Sequence, residues 1–224
     1  PAKPDKNPAY PTIPEIALQL LEEFHTAFPQ LMIEGVLADN LYGTATFVDK
    51  ASAIFDGTQS VSKLQKSQNI RFQGKKMTVT TFFKRYPGVK QTIRIRGGKE
   101  VSVWVSSARI HVCAHGKKRF VIALKYEGED EYRYLVASEM SWRTLDIVQA
   151  HTLRWLIEVF FQDWKAYEGW GQLTKQPDED GSRRSLILSL LCDHCLLLHP
   201  DQLARMKDKL PACTVGSLRD RVKV

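Results

Sequence analysis

No apolar run in this 224-residue sequence approaches the roughly 18 residues that a membrane-spanning helix needs, so no membrane partner is expected. No secretory signal pattern follows Pro1, and a first residue other than Met is what a fragment or processed chain would give. The four cysteines, Cys113, Cys192, Cys195 and Cys213, lack the spacing of a secreted disulfide scaffold and read as free thiols in a reducing compartment. Cys192 and Cys195 have the spacing of a zinc half-site. A second ligand pair is missing, and the stretch from Leu186 to Leu198 reads as a buried helix, so two packed thiols are expected there. Internal repeats are absent. Acids are scarcest between Val61 and Lys125, where Glu100 stands alone against sixteen Lys or Arg, a net +15. The rest of the chain holds 16 Lys or Arg against 24 acids, or −8, so the overall +7 hides a strong asymmetry. Such an excess repels itself unless a polyanion offsets it, which makes this segment a candidate nucleic-acid surface as well as a plain solvated basic face.

What is present is an ordinary globular composition, 43% hydrophobic and 25% charged, long enough for one sizeable core or a domain with an insertion. After a Pro-rich opening from Pro1 to Pro11, the spacing predicts a helix over 14–28 with Ile16, Ala17, Leu20, Leu21 and Phe24 on its packed face. Leu31 to Ala38 is a nearly continuous apolar run, as for a strand covered on both faces, and it stops at Asp39. An Asp in that place is often just the cap of the next element, here a helix predicted over 44–55. From about Val79 to Ala137 the pattern reads as strands. Thr92 to Arg96 alternates so that its isoleucines face a core while Arg94 and Arg96 point outward. Gly97-Gly98, His115-Gly116 and Glu127-Gly128 mark the turns.

One long helix is then predicted over 143–167. Its stripe of His151, Arg154, Glu158 and Lys165 lies apart from an apolar side of Leu153, Leu156, Ile157, Phe160 and Trp164. Arg154 and Glu158, four residues apart, also satisfy the spacing of an ordinary surface ion pair, worth about 0.2 to 0.5 kcal/mol. Gly169 and Gly171 end this helix, an acidic loop and the apolar 182–199 helix follow, and Asp201 to Leu210 reads as a short amphipathic helix.

The order Arg154-x3-Glu158-x6-Lys165, with Trp155 and Ile157 around it, resembles the signature helix of the bacterial insertion-sequence DDE transposases, whose motif reads Tyr-x2-Arg-x3-Glu-x6-Lys. His151 stands at the Tyr position. Upstream, Val36 to Gly43 is similar to the family's strand ending in its second catalytic Asp, here Asp39. The resemblance implies a partial ribonuclease-H-like α/β core interrupted by an antiparallel β-rich insertion. It divides the chain into 1–60, a basic β-rich 61–137, and 138–224 with the signature helix.

By this resemblance Asp39 and Glu158 are the catalytic and metal-binding carboxylates for Mg²⁺ or Mn²⁺. Two divalent ions activate the attacking oxygen, stabilise the leaving one and relieve charge at phosphorus, and hard cations of this kind prefer oxygen ligands. Arg154 and Lys165 are expected on DNA phosphates. His151 keeps a hydrogen bond but not a phenol's reach, and Arg94 and Arg96 add backbone contacts. The expected partner is double-stranded DNA at mobile-element ends and target, with self-association on it, in a bacterial cytoplasm near the nucleoid. The family's first Asp finds no counterpart, since Asp5 lies in the Pro-rich opening, so the chain alone is expected to be catalytically weak or dead. Two readings from other classes remain, a non-catalytic DNA-binding module derived from such an enzyme and a metal-dependent nuclease.

Overall fold

The computed structural model describes residues 10–95 and 100–167, together with 180, 181, 183, 184, 187, 188, 190, 191, 195, 198–200, 203 and 204. They divide into two units. The first comprises residues 1–94 and 100–151, the second 95–99 and 152–224.

The first unit is a mixed α/β structure on one eight-stranded, mostly antiparallel sheet. In chain order it contains α1 (Ile13–Ala27), β1 (Gly35–Ala38), a 3₁₀ turn (Asn40–Tyr42), α2 (Ala45–Ile54), β2 (Gln59–Leu64), β3 (Asn69–Phe72), β4 (Lys75–Thr78) and α3 (Val79–Arg85). Then come β5 (Val89–Arg94), β6 (Glu100–Val112), a second 3₁₀ turn (Cys113–His115), β7 (Lys117–Tyr126), β8 (Arg133–Ala137) and α4 (Thr144–Thr152). The sheet order is β1-β2-β8-β7-β6-β3-β4, with β5 pairing residues 100–105 of β6 while β3 pairs its other end at His111 and Val112. Only β1 and β2 are parallel, joined through α2 as a crossover requires. The strands of the basic segment extend the sheet that contains β1 and do not form a second one.

Directly paired residues share a sheet face, so the registers sort the side chains. One face carries Ile70, Ile110, Val112, Val121, Ala123, Tyr134 and Val136, and packs against Val48 of α2 and Val79, Phe82 and Phe83 of α3. Val36 and Ala38 of β1 fall on that face too, under Leu18 of α1 and Phe47 and Ala51 of α2. The other face carries Val61, Phe120, Ile122, Leu124 and Leu135, all buried. Residues 140–144 run over it, with Ser107 Oγ and Thr144 Oγ1 at 2.7 Å and Arg109 donating to the Met140 carbonyl at 3.0 Å.

Several expectations are corrected. α1 packs through Ala17, Leu18 and Leu21, while Leu20 and Phe24 are exposed, so its inner face is rotated from the predicted one. The apolar run before Asp39 forms only a four-residue strand. Among the described residues β1 pairs on one side alone, so this strand lies at the sheet's edge, and Leu31 and Met32 of the run precede it and are exposed. Residues 79–85 are helical although Val79, Thr80 and Thr81 favour strands. Thr78 Oγ1 accepts from Thr81 N–H at 3.1 Å, and the buried Val79, Phe82 and Phe83 hold the turn in place.

The predicted 143–167 helix is two, α4 and α5 (Trp155–Tyr167), separated by a turn at Leu153 and Arg154. In the second unit, Leu153 and Ile157 are exposed and not core. The described part of 182–199 is helical where assigned, but Ile187, Leu188, Leu190 and Leu191 are exposed rather than buried. Cys195 is an exposed free thiol, while Cys192 lies outside the described residues.

A buried guanidinium ties the first unit together. Arg119, fully buried on β7, donates to both carboxylate oxygens of Asp49 on α2 at 2.7 and 2.8 Å, and through Nε to His115 Nδ1 at 3.1 Å. Because Nδ1 accepts, the proton sits on Nε2, which donates to the Gly43 carbonyl at 3.0 Å. Burial works to raise the Asp49 carboxyl, but hydrogen bonds from Arg119 and Lys117 outweigh it and hold the pKa below its ordinary value. His115 is pushed down, first by burial and then by the Arg119 charge.

Asp49→Ala should destabilise the fold by about 3 kcal/mol in urea unfolding. That is the low end for stranding a buried charge, since the Asp49 side chain is 39% exposed. For both groups the unfolded chain takes up the proton first as pH falls. Stability is therefore whole above about pH 6.5, declines below it through His115, and declines again below about pH 4 through Asp49. His115→Gln should flatten the first decline in a pH series of urea midpoints. An unchanged decline would mean that His115 protonates as readily in the folded state as in the unfolded one.

Candidate functional site

Asp39 immediately follows β1, at the carboxyl end of the sheet's parallel pair. Its backbone is fixed: the carbonyl accepts from Ser62 Oγ at 2.7 Å and from Tyr42 N–H at 3.0 Å. It occupies the N-cap position of the 3₁₀ turn, yet its side chain makes no capping hydrogen bond. The carboxylate, 51% exposed, pairs instead with Lys63 Nζ of β2 at 2.8 Å. Its neighbours Asn40 and Lys63 help line an open cleft with Gln65, Lys66, Tyr132 and Arg133. Gly43 ends the turn so close to β2 that a Cβ there would meet the Lys63 carbonyl oxygen at 2.2 Å. The absence of a side chain lets the Asp39 turn lie against the strand bearing Lys63, and the His115 hydrogen bond holds it there.

In the second unit, Arg154 and Glu158 form an ion pair at 2.6 Å, with the Arg154 side chain 16% exposed and that of Glu158 41% exposed. Arg154 Nε is buried without a hydrogen-bond partner among the described residues. Glu158 lies in the first turn of α5 and Lys165 in its last, signs that complement the helix dipole. The Lys165 ammonium lies 6.0 Å from the Phe161 ring centre. Arg154 and Glu158 therefore meet as the spacing requires, although Arg154 precedes the helix and does not ride on it.

His151 lies on α4 in the first unit and is buried. Arg94 is exposed, as the alternation of its strand requires, but pairs with Glu100 at 3.4 Å, while its backbone N–H donates to Gln149 Oε1 at 3.1 Å. Arg96 lies outside the described residues. Asp39 and Glu158 belong to different units. Among the described residues no group of three or more His, Cys, Asp or Glu side chains is arranged to hold a metal ion.

Sequence reasoning missed Lys63 as the partner of Asp39 and missed the Arg119, Asp49 and His115 network altogether. Lys63 carried one signal, a lone cation in the apolar-rich Val61 to Leu64. The network carried none, because its members are up to 70 residues apart.

The exposed Asp39 and Lys63 pair should contribute at most about 1 kcal/mol to stability. Asp39→Ala is expected to leave the urea midpoint nearly unchanged. A loss of several kcal/mol would mark Asp39 as a structural residue.

No known family model matches this chain, and no curated protein matches it in sequence.

Proposed function

We propose that this chain is part of a DNA-processing enzyme of the insertion-sequence DDE transposase type, with a ribonuclease-H-like core that cuts double-stranded DNA at mobile-element ends and joins those ends to a target. The observation that carries the reading is Asp39, which presents a half-exposed carboxylate not used as a cap at the carboxyl end of a parallel strand. In open α/β sheets ligands bind at those ends. The motif Arg154-x3-Glu158-x6-Lys165 supports it independently, since its Arg and Glu are in contact and Lys165 lies on the same helix as Glu158.

Carboxylate oxygens fit Mg²⁺ or Mn²⁺, and bound divalent ions would supply activation of the attacking oxygen and relief of charge at phosphorus. Asp39 and Glu158 would hold them. Arg154, paired with Glu158, and Lys165 would engage DNA phosphates on either side of that carboxylate. A third acid is still required, and Asp5 is not proposed for it. By this reading the chain alone cuts poorly, and it self-associates on DNA.

A second reading, a DNA-binding module without catalysis, is favoured by one observation: no cluster of three metal-binding side chains occurs among the described residues. Mg²⁺ titration over duplex DNA separates the two. Glu158→Gln should abolish metal-dependent strand cutting while the bound fraction of end DNA stays near the unsubstituted level. Cutting that survives the substitution removes Glu158 from the metal site.

A further inference from the structure

The sixteen cations of the basic segment are not equivalent once folded. Lys63 pairs with Asp39, Lys66 with Glu131, Lys90 with Glu127, Arg94 with Glu100, and Lys117 and Arg119 with Asp49. Acids from outside the segment thus cancel much of its charge. Among the described cations left without an ion pair, Arg71, Lys76 and Lys118 lie on three strands of one sheet face.

The registers set four residues side by side. Lys76 of β4 is opposite Arg71 of β3, Arg71 is opposite His111 of β6, and His111 is opposite Lys118 of β7. Residues directly opposite share a face, and strands lie about 4.8 Å apart, so the row runs for roughly 15 Å across the sheet. It faces away from the core formed by Ile70, Val112 and Phe82. Arg71, Lys76 and Lys118 are exposed and make no ion pair with any described residue, and His111 Nδ1 has no hydrogen-bond partner among them. Like charges placed directly opposite destabilise a sheet, and among the described residues no acid forms an ion pair with this row. Asn69, the next residue of β3 on this face, is polar and exposed.

We propose that the row Lys76, Arg71, His111 and Lys118 is a phosphate-backbone site for duplex DNA, separate from Asp39 and from α5. The choice of duplex over other polyanions rests on the function proposed above. The cation row itself does not. Donors set side by side across neighbouring strands suit a line of phosphates, and about 15 Å along one DNA strand carries roughly four of them. No large apolar side chain belongs to the row, whereas insertion into a lipid surface needs an apolar face. The site reads no sequence. It positions the duplex.

The test is the salt dependence of binding to a random 30-base-pair duplex, using the whole chain. Each lost phosphate contact lowers the log–log salt slope by about 0.9, so Arg71→Gln/Lys76→Gln/Lys118→Gln should lower it by about 2.7. The charge-preserving Arg71→Lys/Lys76→Arg/Lys118→Arg should restore it. Lys90→Gln/Lys117→Gln/Arg143→Gln removes the same net charge from positions paired with Glu127, Asp49 and Asp146 and should lower the slope by less than about one. Thermal melting checks that each variant folds. If the row triple does not, Arg71→Gln and Lys118→Gln singly, at about 0.9 each, provide the measurement. An unchanged slope in the row variant, an equal fall in the control triple, or binding to anionic lipid vesicles but not to DNA overturns the site. Failure of the transposase reading looks different: no metal-dependent cutting under any condition, with the slopes as expected. Cutting accompanied by a row variant of unaltered slope removes the site and keeps the reading.

Discussion

A fully buried guanidinium must find acceptors for all its donors or the fold that buries it is lost, and Arg119 imposes that constraint on the first unit. Its side chain projects from β7 on the sheet face that α2 and α3 cover. Asp49 must come from α2 at one angle, His115 from the turn before β7 at another, and His115 in turn must find the Gly43 carbonyl. Helix, strand and the Asp39 turn are fixed relative to one another by one set of hydrogen bonds. Replacing the set with apolar side chains could give a fold as stable, but nothing would then specify where Gly43 sits, and Asp39 is four residues before it.

That dependence bears on what the sequence could and could not reveal. The α1 and α2 helices were legible in extent from their apolar spacing, although the face that α1 packs was not. β5 to β8 were legible because alternation and glycine turns agree, with Gly116 and Gly128 both at positive φ. The β3–β4 hairpin was not. Its strands have four residues each, one face is Lys and Arg, and its Gln73-Gly74 turn lacks the usual Asn or Asp, although both residues adopt positive φ. The turn at Leu153 and Arg154 was invisible because apolar spacing runs through it and no glycine or proline marks it.

Charge shows the same division between what a sequence counts and what a fold arranges. A net +15 over 61–125 is a fact of composition. Which cations remain to meet a ligand depends on acids as distant as Asp49, which holds both Lys117 and Arg119 on the core-facing side of β7 while Lys118 between them points the other way. Strand alternation thus sorts three consecutive cations into two roles, one internal and one external. Composition alone would have assigned all three to DNA.

The two candidate carboxylates show a parallel arrangement. Asp39 is balanced by Lys63 and Glu158 by Arg154, so each local site is close to neutral. In the proposed reading, a divalent ion arriving at either carboxylate competes with the resident cation, and a phosphate arriving with the ion offers that displaced cation a new partner. Metal and DNA would then bind more tightly together than separately, since each relieves the charge imbalance the other creates. The pairing therefore does not argue against a metal role for these acids. It holds two ionised side chains in place, and at Asp39 it does so at modest cost, because an exposed pair is worth little to the fold and is correspondingly easy to exchange.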